Sequence, residues 1–207
     1  MRYLSDDELR RIVTPAFATD GAAEAYRIFG REGDVTSRPS AAVTVIASDP
    51  PRSFMFKGGT ALELNRTGHQ MGVQFGEMYF LVYDSQTGEL VGLLDHRWLN
   101  KRRTGATGAV VARRLANPGA RIAAIIGAGD IAEEAVRCLD HLFDFDEIRV
   151  SSRTAESAQR FATRLAPDLK ATIRAVPAAQ EAVRDADVVV TITIATAPVR
   201  LPGWLKP

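Results

Sequence analysis

The segment Ile125-Ile126-Gly127-Ala128-Gly129-Asp130-Ile131-Ala132 constrains the fold more than any other part of the sequence. It is a G-x-G-x-x-A pattern that follows a buried-strand run and opens a helical one, the context in which it reads as a dinucleotide fingerprint. Gly127 allows the tight turn, Gly129 lets a backbone approach a pyrophosphate, and Ala132 keeps the helix close to the strand. The exposed N–H groups at a helix start, together with the helix dipole, attract phosphate. Gly127, Ala128, Gly129, Asp130 and Ile131 are therefore the candidate phosphate-loop residues. Without its flanks the same run would be a plain glycine turn.

The flanks supply a pattern of alternation. Strand-like runs at 121–126, 147–152, 171–176 and 187–193 are separated by helix-like runs at 131–142, 156–165 and 178–184. Strands alternating with helices imply βαβ units and a parallel sheet. A full dinucleotide fold uses about six strands; four at most are visible here, so the expectation is a partial Rossmann domain over residues 118–207. The second strand ends in Val150-Ser151-Ser152-Arg153-Thr154, with no carboxylate where an NAD binder places one for the ribose hydroxyls. Arg153 offers a planar cation for a 2′-phosphate, and Ser151, Ser152 and Thr154 offer hydroxyls. NADP(H) is thus the favoured cofactor and NAD(H) the alternative; read by itself, Arg153 is a solvated loop arginine.

The first half has a different rhythm. Ser5-Asp6-Asp7-Glu8 is a capping box, so a short helix is expected to end near Thr14-Pro15, with a second over 21–29. Strands are expected at 41–46 and 53–57, the latter broken by Gly58-Gly59. A hairpin pairs 78–84 with 89–94 across Asp84-Ser85-Gln86-Thr87-Gly88. A long helix over 98–116 stops at Asn117-Pro118-Gly119, which sets a domain boundary: an α+β domain over 1–117, then the dinucleotide domain. The fold class is α/β overall.

Composition narrows the rest. With 26 Lys and Arg against 25 Asp and Glu, the net charge of +1 gives no basic excess for nucleic-acid binding. The one cysteine, Cys138, cannot form an internal disulfide, and three scattered histidines make no zinc pattern. No apolar run approaches the roughly 18 residues of a membrane span, and the N-terminus lacks a secretory core. A soluble cytoplasmic protein without membrane or nucleic-acid partners is expected.

Phe56-Lys57, then Arg103-Thr104-Gly105-Ala106, then Gly127-Ala128-Gly129 follow one another as they do in the ornithine cyclodeaminase/mu-crystallin family, which the chain resembles. Ser152-Arg153-Thr154-Ala155-Glu156-Ser157-Ala158 is similar to the NADPH-using mu-crystallin branch. Residues 186–193 and Trp204-Leu205-Lys206-Pro207 also resemble family sequence. The resemblance is strongest from Leu81 onward and poor over 58–77. It implies a substrate-binding and dimer-forming N-terminal half, a C-terminal Rossmann domain and a homodimer. It also implies chemistry at the α-carbon of a small amino acid or cyclic imino acid. By the same resemblance Lys57 stands beside the reacting centre as the catalytic candidate, Arg103 grips the substrate carboxylate, and Thr193 joins the cofactor residues. A guanidinium fork suits a planar carboxylate. Arg38 is either a second carboxylate arginine or a surface arginine before Pro39. Taken alone, Lys57 reads as an exposed strand-end lysine and Lys101-Arg102-Arg103 as a solvated helix face. Phe75, Tyr79, Trp98 and His69 read as core or dimer-seam residues, or as the walls of a pocket.

Family members continue past Pro207 with another strand and a catalytic aspartate, so the chain reads as C-terminally truncated, with an unpaired sheet edge and weak or absent catalysis if it is complete. Three functions fit. The first is an NADP(H)-dependent oxidoreductase of the ketimine-reductase type. The second is an ornithine cyclodeaminase holding NAD⁺. The third is an NADPH or small-ligand binding protein.

Overall fold

The computed structural model describes residues 1–31, 41–46, 53–73, 76–199 and 202–205. They divide into two compact units, Met1–Asn100 and Lys101–Pro207.

The first unit opens with a short strand, β1 (Arg2–Leu4), and two helices, α1 (Asp6–Ile12) and α2 (Pro15–Phe29). Ser5 caps α1 through the expected capping box. Thr14 caps α2, with Pro15 in its first turn. The second helix therefore begins at Pro15 and not at 21. A proline that ends one helix is equally suited to start the next, because its fixed φ and missing N–H cost nothing in a first turn. Five strands follow: β2 (Ala41–Ile46), β3 (Ser53–Ala61), β4 (Arg66–Val73), β5 (Met78–Asp84) and β6 (Leu90–Asp95). They form a six-stranded sheet in the order β1-β6-β5-β4-β3-β2, antiparallel except for the β1–β6 pair.

Two expectations are corrected in this sheet. Gly58-Gly59 does not break β3, which runs on to Ala61. These glycines pair with His69 and Gly68 of β4, a strand that the sequence reading did not place. A Cβ at Gly58 would lie 2.8 Å from the Cβ of His69, so this glycine serves close strand packing. Lys57 accordingly lies within a strand and not at its end.

Helix α3 (Arg97–Leu115) begins at the end of the first unit and continues into the second. The second unit then alternates as expected: β7 (Ile122–Ile126), α4 (Asp130–Leu142), β8 (Glu147–Ser151), α5 (Ala155–Leu165), β9 (Thr172–Ala175), α6 (Ala179–Val183) and β10 (Val188–Thr191). The four strands are all parallel, in the order β10-β7-β8-β9. Among the described residues β10 pairs with β7 alone and forms one edge.

Both faces of this sheet are covered, as parallel strands require. Ala124 and Ile126 pack with Val176, Ala182, Val183 and Ala186 on one face. Ala123 and Ile125 point the other way and are fully buried. Helix α4 buries Ala132, Ala135, Val136 and Leu139 at helical spacing, and α5 buries Ala158, Phe161, Ala162 and Leu165. Each large buried apolar side chain among these is worth roughly 1.5–3 kcal/mol. Asp187 accepts from the Arg121 and Ile122 N–H groups at 2.7 and 2.8 Å, tying the amino end of β7 to β10.

Candidate functional site

The fingerprint sits where a parallel sheet delivers its loops, at the carboxyl end of the strands. Gly127 follows β7 with φ of +120°, a conformation reserved in practice for glycine. Its N–H donates to the Ser151 carbonyl at 2.8 Å, and the Ile192 N–H donates to the Ile126 carbonyl at 2.8 Å. The ends of β7, β8 and β10 are thus bonded to one another around the loop. Gly129 is the N-cap of α4 and offers no side chain to its first turn. Apart from its chain neighbours, no described residue has an atom within 4 Å of where a Cβ on Gly129 would project. Ala132 is fully buried. A Gly-rich turn, an open approach and a helix N-terminus without a side-chain cap fit a dinucleotide pyrophosphate.

The loop after β8 carries the specificity candidates. Ser151 is buried, and its carbonyl is engaged by Gly127. The Ser152 hydroxyl donates to the Thr154 carbonyl at 2.9 Å. The Thr154 hydroxyl accepts from the Ser157 N–H at 3.2 Å as the cap of α5, which leaves its proton to donate elsewhere. Arg153 is exposed and makes no hydrogen bond or ion pair among the described residues. By contrast, Arg121, Arg137, Arg149, Arg160, Arg164 and Arg174 of the same unit each pair with a carboxylate. Thr193 lies two residues beyond β10, exposed, its hydroxyl accepting from the Ala195 N–H at 3.1 Å. Among the described residues, then, the loop candidates and the specificity candidates share one end of one sheet.

The run Lys101-Arg102-Arg103 is not a solvated helix face. Arg102 is buried and pairs with buried Glu134 of α4 at 2.9 Å. Lys101 forms an ion pair with Asp130 at the start of α4. Gly105 lies against α4 so closely that a Cβ would fall 2.5 Å from the Ala135 nitrogen. Arg103 reaches solvent, yet its guanidinium is packed closely enough for desolvation to lower its pKa. The pairs formed by Lys101 and Arg102 were beyond sequence reasoning, since nothing in the spacing links residue 102 to residue 134. Cys138 is a buried free thiol, with burial raising its pKa and nearby Arg102 opposing that shift.

In the first unit Lys57 is exposed on β3, opposite Gln70 of β4 and, one strand further, Phe80 of β5. Gln70 is buried and accepts through Oε1 from His96 Nε2 at 2.9 Å, and the His96 ring lies 5.5 Å from that of Phe80. His69 occupies the opposite face, between Phe56 at 4.8 Å and Tyr83 at 5.6 Å. Trp98 is buried beneath the Arg10 guanidinium. His69 and Trp98 are thus packing residues in this unit. Gln70 and His96, which sequence reasoning missed, form the polar floor of the face that carries Lys57. Arg38 and Phe75 lie outside the described residues.

The family model for the ornithine cyclodeaminase/mu-crystallin family matches residues 58–207. The chain belongs to that family. The match begins at Gly58 and so includes residues 58–77, the segment with poor motif resemblance. The chain is 35% identical over 127 residues to the ketimine reductase mu-crystallin of Mus musculus, covering 61% of this chain and 39% of that protein. Its fold matches the Δ(1)-pyrroline-2-carboxylate reductase of Thermococcus litoralis, solved with NADH and L-proline. There the TM-score is 0.88 at 20% identity, over 99% of this chain and 66% of that one. The iminosuccinate reductase of Paracoccus denitrificans, solved with NAD⁺, matches with a TM-score of 0.91 at 21% identity, again over 66% of its length. The chain thus spans just under two thirds of these solved relatives.

Proposed function

We propose that this protein is an NADP(H)-dependent oxidoreductase that reduces the C=N bond of a small cyclic imino acid. The observation that carries the reading is the joining of Gly127 to Ser151 across the sheet. That bond holds the glycine loop beside a strand end with no carboxylate and with an arginine that has no partner among the described residues, which supports the reading. Family membership supports the reaction class. That the similar mu-crystallin, Δ(1)-pyrroline-2-carboxylate reductase and iminosuccinate reductase are reductases supports an imino acid as substrate.

When bound, a reduced nicotinamide supplies two electrons and a hydrogen to the imine carbon, and a proton at nitrogen completes the amine. The N–H groups of the Gly127–Gly129 loop and of the first turn of α4 hold the pyrophosphate. Arg153, with the hydroxyl of Thr154, takes the 2′-phosphate, and the Ser152 hydroxyl joins them by exchanging its bond to the Thr154 carbonyl for one to the phosphate. Arg103 holds the substrate carboxylate through its guanidinium fork, and Arg38 is the second candidate for that task. Lys57 steers charge or a proton at the imine nitrogen. The protein acts as a cytoplasmic homodimer in this reading.

The test is a fluorescence titration with NADPH and NADH, followed by turnover of a five- or six-membered cyclic ketimine carboxylate. Saturable, NADPH-preferring binding with NADPH oxidation is the expected result. NADPH binding without turnover of any such ketimine would instead make the chain a nucleotide-binding protein. Ammonia release from ornithine without added cofactor would make it a cyclodeaminase.

A further inference from the structure

An acidic residue stands at the first position of α4, where the proposed site draws phosphate. The Asp130 side chain is 70% exposed. It directly follows Gly129, whose side-chain direction faces open space. A carboxylate there has two opposed effects. It favours the helix, since negative charge is stabilising near a helix N-terminus. It also repels a pyrophosphate arriving at the same N–H groups.

Lys101 answers that second effect. Its Nζ forms an ion pair with Asp130 Oδ2. The lysine is delivered there by packing and not by chance of its flexible chain. Arg102 is fixed on α4 by its 2.9 Å pair with Glu134, both side chains being under a tenth exposed. Gly105 locks the next turn of α3 against the backbone of Glu134 and Ala135. With residues 102 and 105 held, residue 101 projects from α3 toward the first turn of α4.

We propose that Lys101 binds the dinucleotide phosphates, held ready at the N-terminus of α4 by Asp130, and that the pair sets cofactor affinity. This rests on the Gly127–Gly129 loop being the dinucleotide site. An ammonium has three donors; it keeps one on Asp130 and gives another to a phosphate oxygen. The acid is then neutralised at the moment it would otherwise repel.

The test titrates NADPH into the wild-type chain, Lys101→Met and Lys101→Met/Asp130→Asn, with a thermal midpoint for each as a check on folding. Lys101→Met should bind about tenfold more weakly, because it removes a cation and leaves an uncompensated acid beside the phosphates. The double variant should recover to within about threefold of wild type, and the salt dependence of binding should be shallower for both variants. Binding of Lys101→Met within about twofold of wild type would overturn the proposal. So would a double variant no better than Lys101→Met, since the acid would then not be what the lysine offsets. Absence of NADPH binding by the wild-type chain would instead bring down the reading of the loop, and this proposal with it.

Discussion

The carbonyl oxygen of Ile192 lies 1.9 Å from where a Cβ on residue 127 would sit. Gly127 also holds a φ of +120°. Conformation and space therefore exclude any side chain at this position, and the obstacle is backbone that cannot swing aside. Gly127→Ala should cost about 2–6 kcal/mol of stability, the range of backbone strain plus overpacking. It should also abolish dinucleotide binding. Chemical denaturation and an NADPH titration check the two halves. A variant of wild-type stability would show that the loop is not held as described.

Two glycines on α3 should respond in opposite directions. At Gly105 a Cβ would fall 2.5 Å from the Ala135 nitrogen, whereas at Gly108 no described residue beyond its own stretch of helix comes within 4 Å. Replacing a helical glycine by alanine gains up to about 1 kcal/mol where space allows. Gly108→Ala should therefore stabilise by roughly that amount. Gly105→Ala should lose about 1–3 kcal/mol, because overpacking against a neighbouring backbone outweighs the propensity gain. Urea midpoints of the two variants decide it; a shift of the same sign at both sites would contradict the close approach of α3 and α4.

The contrast between the two halves shows what was legible in the sequence. The second unit was readable to within a residue or two, because β7 and β10 are short apolar runs, β8 and β9 keep apolar residues at alternate positions, and α4 and α5 carry stripes such as Ala132, Ala135, Val136 and Leu139. In the first unit β4 was invisible. Arg66-Thr67-Gly68-His69-Gln70-Met71-Gly72-Val73 has neither apolar alternation nor a glycine-free run. Its glycines exist for its neighbours: a Cβ at Gly68 would meet the Phe80 ring at 2.7 Å. Long-range packing of that kind leaves no local signal. The same holds for the site. The G-x-G-x-x-A run announced itself, while the pairing of Lys101 with Asp130 depends on a helix packing that spacing does not encode.

The capping box of α1 gives a pH dependence with a definite sign. The Glu8 carboxylate accepts from the Ser5 N–H at 2.9 Å and from the Ser5 hydroxyl at 2.8 Å. These bonds, the backbone one foremost, hold its pKa below the ordinary 4.5. A carboxyl depressed in the folded state contributes stability that is fully present above the unfolded value and fades as pH falls through the folded one. Glu8→Gln retains a capping acceptor but cannot titrate. Thermal midpoints of wild type and variant should therefore converge on acidification below about pH 4.5. Parallel curves through that window would mean that the Glu8–Ser5 bonds do not contribute in solution.

Arg153 should separate the two cofactors. Its guanidinium is exposed, makes no bond among the described residues and stands two positions after β8. Nothing in the fold therefore depends on it, and a change in binding on its removal reports on the ligand. A hydrogen bond to a charged group is worth about 1.5–3 kcal/mol, which is about 10–150-fold in affinity. Arg153→Ala should weaken NADPH by a factor in that range, leave NADH within about twofold and leave the thermal midpoint unchanged. Equal losses for both cofactors would assign Arg153 to the part of the dinucleotide they share. No loss for either would return it to a solvated loop residue and leave the Thr154 hydroxyl to carry any preference for NADPH.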